Sequence, residues 1–277
     1  MGTKLSVNVN KIAWLRNARD QGGTVEGVEP SVVAFAKAAL DAGAAGITVH
    51  PRPDQRHIRI SDVHDLAALL EQSEYADREL NIEGNPLDAS AGPDGEGHLM
   101  PIIRAVKPDQ VTLVPDAPGQ ATSDHGFDLG SEGPALRPII EELKGLGCRV
   151  SVFMDPDPES MAGVRELGAD RVELYTEPYA SAYGLLTQPG VLDGYVASAK
   201  RCRELGLGVN AGHDLSLANL GVLLDAVRSE GGSEVDEVSI GQALVAECLT
   251  LGVFRVVRGY LTLCGPGSPG SSPKAGG

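Results

Sequence analysis

Three observations predict a closed parallel (β/α)8 barrel of the TIM type. Eight short apolar runs rich in β-branched residues recur along the 277 residues. The crossovers between them are too long for hairpins and mostly carry helical patterns. Several of those patterns close on Ala-Gly or Leu-Gly, where glycine suits a left-handed cap that returns the chain to a strand. Eight alternations in one chain of this length fit a barrel ringed by helices; the alternative is an open doubly wound sheet.

In order, the strand candidates are KLSVNVN (4–10), AGITVHP (45–51), ELNIEG (79–84), QVTLVPD (110–116), CRVSVFMD (148–155), RVELYTE (171–177), LGVNAG (207–212) and EVSIGQ (237–242). SVVAFAKAALDAG reads as the helix before the second strand, VHDLAALLEQ as that before the third and PALRPIIEELKGLG as that before the fifth. ESMAGVRELGA, LDGYVASAKRCRELG, LANLGVLLDAVRSEGG and ALVAECLTLGVFRVVRG complete the ring. Before the fourth strand, ASAGPDGEGHLMPIIRAVKPD opens as a Gly/Pro/Asp loop and turns helical late. The expected organisation is one barrel domain over residues 1–263 and a disordered Gly/Pro/Ser-rich tail over 264–277.

A net charge of −15 argues against nucleic acid and anionic membranes as partners. No apolar run approaches the roughly 20 residues needed to span a bilayer. The N-terminus MGTKLSVN lacks a signal-peptide pattern, and the four cysteines form no CxxC pair. Reduced thiols in a cytoplasmic protein fit this usage.

In such a barrel the active site lies at the C-terminal ends of the strands, so those ends form an inventory of it. They carry Asn8, Asn10 and Lys11; His50 and Arg52; Glu83; Asp116; Asp155; Glu173, Tyr175 and Glu177; Asn210 and His213; and Gly241 with Gln242. Asp116 and Asp155, each next to Ala or Pro, read as turn or cap residues. His50, His213 and Glu83 at one mouth point to acid–base catalysis, because imidazole and a buried carboxyl both move protons near neutral pH. Arg19, Arg52, Arg56 and His57 follow the first two strands, and guanidinium and imidazole donors suit phosphate. Gly241 before a helix offers a second anion site. Two anion sites imply two phosphates or one substrate with two charged ends. No HxH, HExxH, GxGxxG or GxxxxGK[ST] spacing occurs, so neither a metal nor a nucleotide is expected.

SVNVNKIAWLRNAR, AGITVHPRPDQRHI, NIEG, VTLVPDAPGQATS, DRVELYTEPYA, LGVNAGHDLS and EVSIGQAL together resemble the pyridoxine 5'-phosphate synthase family of vitamin B6 biosynthesis. The likeness runs over about residues 4–259 and takes in every expected strand. It implies a transferase-class enzyme with extra helices on the barrel. Such an enzyme condenses 1-deoxy-D-xylulose 5-phosphate with 3-amino-2-oxopropyl phosphate, losing inorganic phosphate and water, without metal or organic cofactor. By motif, His50 and Glu83 would be the acid–base groups and His213 a proton donor. Asn8, Asn10, Lys11, Arg19, Arg52, His57, Thr122, Asp214, Gly241 and Gln242 would bind the two phosphate substrates, with Thr122 in a lid after the fourth strand. The resemblance also implies an octamer assembled from dimers.

One branch of the family has Asp-His where this chain has Asn10-Lys11, and Gly at Asp214; another matches this chain at all three. Both carry His where Gln242 stands, which leaves a backbone N–H for phosphate but removes a possible side-chain charge. Read from the residues alone, another phosphate-handling lyase or isomerase and a non-catalytic binding paralogue stay open.

Overall fold

The computed structural model describes residues 2–18, 30–88, 98–117, 119–120, 122–229 and 235–265. The strands are β1 (Lys4–Asn8), β2 (Gly46–Val49), β3 (Glu79–Gly84), β4 (Gln110–Leu113), β5 (Arg149–Met154), β6 (Arg171–Tyr175), β7 (Gly208–His213) and β8 (Glu237–Ile240). Each pairs in parallel with the next, and β8 pairs with β1 through Leu5↔Val238 and Ser6↔Ser239, closing the sheet in chain order. This is the expected (β/α)8 barrel.

Among the described residues the helices are α1 (Asn10–Asn17), α2 (Val32–Asp41), α3 (Ile60–Leu70), α4 (Leu99–Val106), α5 (Gly133–Gly145), α6 (Met161–Leu167), α7 (Glu177–Ala182), α8 (Gln188–Glu204), α9 (Leu220–Ser229), α10 (Gln242–Leu251) and α11 (Val253–Cys264). Two of them were not expected. The first strand stops at Asn8 because the Asn8 side-chain oxygen accepts from the Asn10 N–H, 3.0 Å, turning the chain into α1. The sixth stops at Tyr175, and Pro178 in the first turn of α7 tolerates the missing donor there. The apolar run ALVAECLTLGVFRVVRG is two helices, since Gly252 between them takes φ 81° and ψ 150°. The boundary expected at residue 264 falls inside α11: Cys264 is buried and its carbonyl accepts from Thr3 N–H, tying the two ends of the domain together. The rest of the expected tail, from 266 on, lies outside the described residues.

The apolar core lies between barrel and helices, where Leu5, Val7, Ile47, Val49, Ile82, Val111 and Val172 are fully buried. The alternate strand positions are buried too, yet polar: Ser6, Thr48, Asn81, Thr112, Ser151, Glu173, Asn210 and Ser239. Barrels of this class usually fill the interior with branched apolar residues. Here several of the polar groups satisfy one another, with Ser6 Oγ 2.7 Å from Thr48 Oγ1 and Thr112 Oγ1 donating to Asn81 Oδ1 at 3.2 Å. At the N-terminal end of the barrel, Glu79 pairs with Lys4 and Arg149, and Glu237 with Arg171. Those pairings offset the cost of burying charge and close the barrel at the end away from the mouth.

Candidate active site

His50 stands at the tip of β2, and its backbone N–H donates to Asn10 Oδ1 at 2.9 Å. The unexpected first turn of α1 therefore positions it. Its imidazole lies between two carboxyl groups, with Nδ1 3.9 Å from Glu83 Oε2 and Nε2 3.7 Å from Asp116 Oδ2. Burial, and then the neighbouring Arg52, hold His50 well below the usual imidazole range. Burial, and then Glu173, push Glu83 well above the usual carboxyl range. The same burial thus favours the neutral form of both neighbouring groups. Asn8 Nδ2 lies 3.4 Å from Glu83 Oε2 and joins the acid to β1.

These groups adjoin a cleft of about 290 Å³ at the mouth, lined by Asn8, Asn10, Lys11, His50, Arg52, His57, Thr122, His213, Asp214, Gly241 and Gln242. The structure thus brings together every residue to which the family resemblance gives a catalytic or binding role except Glu83, which is buried beside His50 in the barrel, and Arg19, which lies outside the described residues. Trp14 lines the same cleft, its ring 5.4 Å from the Lys11 ammonium. Gly241 caps α10, so the first N–H groups of that helix and the positive end of its dipole lie at the wall of the cleft. A Cβ on Gly241 would come within 3.2 Å of the Asn8 side chain, so glycine lets β8 approach β1 at this level.

His213 ends β7 with φ +75°, a left-handed conformation uncommon for a non-glycine residue. Burial holds it below the usual imidazole range, against the opposing pull of Asp214. Gly212 before it is needed for packing: a Cβ there would sit 2.7 Å from Glu173 Oε1 and 2.9 Å from the Ser239 carbonyl. Across the mouth, Thr122 Oγ1 lies 3.0 Å from His213 Nε2. The loop carrying Thr122 is pinned at its other side, because Arg52 Nη1 and Arg56 Nη1 both donate to the Gln120 carbonyl, at 3.0 and 2.9 Å.

Three readings change. Asp116 is no turn residue: it is buried, accepts from Arg52 Nη2 at 2.5 Å and faces His50. Asp155, by contrast, is exposed at a turn, as expected. His57 is not a cation, because Ile58 N–H donates to its Nδ1 at 2.9 Å, and burial with Arg52 and Lys11 nearby lowers it to about 4. It offers the cleft a neutral Nε2–H. Arg56, grouped by sequence with the phosphate donors, instead pairs with Asp54 and holds the loop after β4.

Glu173, marked in the sequence only by its strand-end position, acts electrostatically on Glu83. It is buried in the barrel, receives Thr112 Oγ1 at 3.4 Å, and burial together with Glu237 raises it to about 8. The alternation RVELY, with Glu between two outward apolar residues, was the available signal. No cluster of three or more His, Cys, Asp or Glu residues that could hold a metal occurs among the described residues.

Comparison with known proteins accords with this geometry. The chain is 49% identical over 271 residues to a protein of Xylella fastidiosa (strain M23) named pyridoxine 5'-phosphate synthase, covering 98% of each. It is 49% identical over 266 residues to one so named from Albidiferax ferrireducens, covering 94% of this chain and 97% of the relative. A chain of the Amycolatopsis orientalis BexX/CysO complex shares the fold at 16% identity, with a TM-score of 0.53 over 98% of this chain and 95% of that one. The family model for the pyridoxal phosphate biosynthesis protein PdxJ matches residues 5–265, from β1 to the end of α11, and the chain belongs to that family.

Proposed function

We propose that this chain forms pyridoxine 5'-phosphate, as the name of its relatives says of them, and does so by condensing 1-deoxy-D-xylulose 5-phosphate with 3-amino-2-oxopropyl phosphate. The observation that carries the reading is the pairing of a neutral His50 with a raised Glu83 beside a single cleft that also holds Lys11, Arg52 and the α10 N-terminus. His50 removes protons from substrate carbons and from attacking water, while Glu83 supplies protons to leaving hydroxyl groups. His213, held by Thr122, gives a proton at the opposite wall. Lys11 and Arg52 neutralise one phosphate, with His57 donating from Nε2. The backbone of Gly241 and Gln242 receives the other, so the change from His to Gln leaves the N–H contact in place. Proton transfers of this kind each contribute roughly a hundredfold to ten-thousandfold in rate.

The reaction is proposed to need no metal or organic cofactor. Purified protein given both substrates should release phosphate and form pyridoxine 5'-phosphate at an unchanged rate in the presence of a chelator. Well-folded protein that forms no product overturns the function, and product lost with the chelator overturns the metal-free chemistry.

A cytoplasmic homo-octamer built from dimers is part of the proposal. Solvent-exposed Leu249, Leu251 and Phe254 on α10 and α11, and Trp14 and Leu15 on α1, support association between copies. No helix among the described residues is long and apolar enough to cross a membrane. Light scattering on the purified protein measures the assembly.

A further inference from the structure

A second cavity, of about 110 Å³, lies behind the wall formed by His50 and Arg52. It shares these two residues with the substrate cleft and is otherwise lined from the loops after β2, β3 and β4, among them Asp54, Asn85, His98 and Asp116. It leads from the buried interior to the surface: Asp116 is 5% exposed, His98 is half-buried, and the Asp54 side chain is 51% exposed. The space is several times what one water needs, about 10–15 Å³ on the same measure. Two buried polar atoms on its lining residues, Asp116 Oδ1 and His98 Nε2, have no hydrogen-bond partner within the protein. Buried polar atoms left unpaired cost about 1–3 kcal/mol each, and a polar cavity of this size supplies water as their partner.

We propose that this side cavity is a hydrated proton port for His50, running through Asp116 and His98 to solvent, and this inference rests on the acid–base role given to His50 above. The imidazole is placed for it. Nδ1 faces Glu83 on the barrel side, whereas Nε2 faces Asp116 Oδ2 on the cavity side. A small ring rotation closes the 3.7 Å gap to a hydrogen bond. A proton taken up at Nδ1, directly or by way of Glu83 beside it, is matched by one given up from Nε2 to the Asp116 carboxylate. The protonated Asp116 carboxyl turns to offer that proton to cavity water on the side of the unpaired Oδ1; the water gives a proton to His98 Nε2 while His98 Nδ1 releases its own to solvent, and exchange with water restores the tautomer. His50 returns to its neutral form and Asp116 to its carboxylate, so the balance closes without another reactant.

The loop after β4 borders both spaces. Asp116, Ala117 and Gly119 near its start border the cavity, while Thr122 further along borders the cleft and touches His213. With that contact made, the loop bridges one side of the cleft, and the cavity behind the His50–Arg52 wall reaches solvent independently of it. A condensation with several proton transfers must reset its base between steps. The charged and titratable groups around His50 are Arg52, Arg56, His57, His213, Glu83 and Asp116. Arg52 and Arg56 disfavour a lasting imidazolium and favour quick release toward the carboxylate. Asp88 is the charged neighbour that acts on His98.

The test compares wild type with His98→Ala and His98→Gln. Both are expected to lower kcat by about tenfold, well short of the hundredfold or more lost with a direct acid–base group. KM should be unchanged, and the solvent deuterium isotope effect on kcat should increase. Imidazole should restore His98→Ala in proportion to its concentration, while wild type should not respond. Circular dichroism and Trp14 fluorescence confirm that both variants are folded with an intact cleft. Active wild type with variants unchanged in kcat and isotope effect overturns the port alone, as does lost activity that imidazole fails to restore in folded His98→Ala. Wild type that makes no product overturns the function itself, and the port falls with it.

Discussion

Thr122 Oγ1 and His213 Nε2 approach to 3.0 Å across the mouth of the barrel, although 91 residues separate them in sequence. The contact joins a loop to a histidine held in a left-handed backbone conformation, so ring orientation and loop position depend on each other. Thr122→Val keeps the shape and removes the hydroxyl. It is expected to lower kcat/KM by about two- to tenfold, the worth of one ordinary hydrogen bond, and to leave the thermal midpoint unchanged. Steady-state kinetics and a melting curve check both; a kcat/KM equal to wild type would detach the loop from catalysis.

Asp116 and Arg52 form a pair whose side chains are 4% and 7% exposed. Removing one partner leaves a buried charge uncompensated. Asp116→Ala should therefore destabilise the fold by about 3 kcal/mol, seen as a lower urea midpoint, and should raise KM because Arg52 loses its anchor. Asp116→Glu should recover part of the KM. A variant with wild-type KM would show that Arg52 is held by the Gln120 carbonyl alone.

The barrel was legible in the sequence because each strand and most helices carry their own period, and periodicity is local information. Elements set by single side-chain contacts were not. Nothing in the run NKIAWLRN announces that Asn8 caps the turn into α1, and the positive φ at Gly252 that divides α10 from α11 sits in an unbroken apolar stretch. Among site residues, those at strand tips with unusual chemistry, His50 and His213, stood out. Asp116 did not, because an Asp before Ala reads as a turn until Arg52, 64 residues away, is placed beside it. The polar interior was written in the alternations VNVN, NIEG and VELY, but alternation alone does not say which face is enclosed.

Glu173 ties stability to pH in an unusual direction. Its carboxyl is raised from 4.5 to about 8 by burial and by Glu237. The folded state then keeps a proton that the unfolded state loses above pH 4.5. The stabilising contribution is thus complete below pH 4.5 and is lost as pH rises through about 8. Glu173→Gln has no proton to lose and should remove that fall, raising the thermal midpoint at pH 8 by roughly 5 °C while lowering turnover. Melting curves between pH 5 and pH 9 provide the measurement, and parallel curves for variant and wild type would place the carboxyl in its ordinary range.

Gly212 separates packing from chemistry at the same level of the barrel. An alanine Cβ would lie 2.7 Å from Glu173 Oε1 and 2.9 Å from the Ser239 carbonyl. The second atom belongs to the backbone of β8 and lies in register with Gly212, so it cannot swing away as a side chain would. Relief must come from shifting β7 and turning Glu173, and His213 is the next residue. Gly212→Ala is expected to cost about 1–3 kcal/mol of stability, as overpacking does. Its loss of kcat should be larger than that of Thr122→Val, because both His213 and Glu173 are displaced. Urea unfolding and steady-state kinetics on one preparation measure the two effects; a variant equal to wild type in both would mean that β7 has room to spare and that glycine is not needed there.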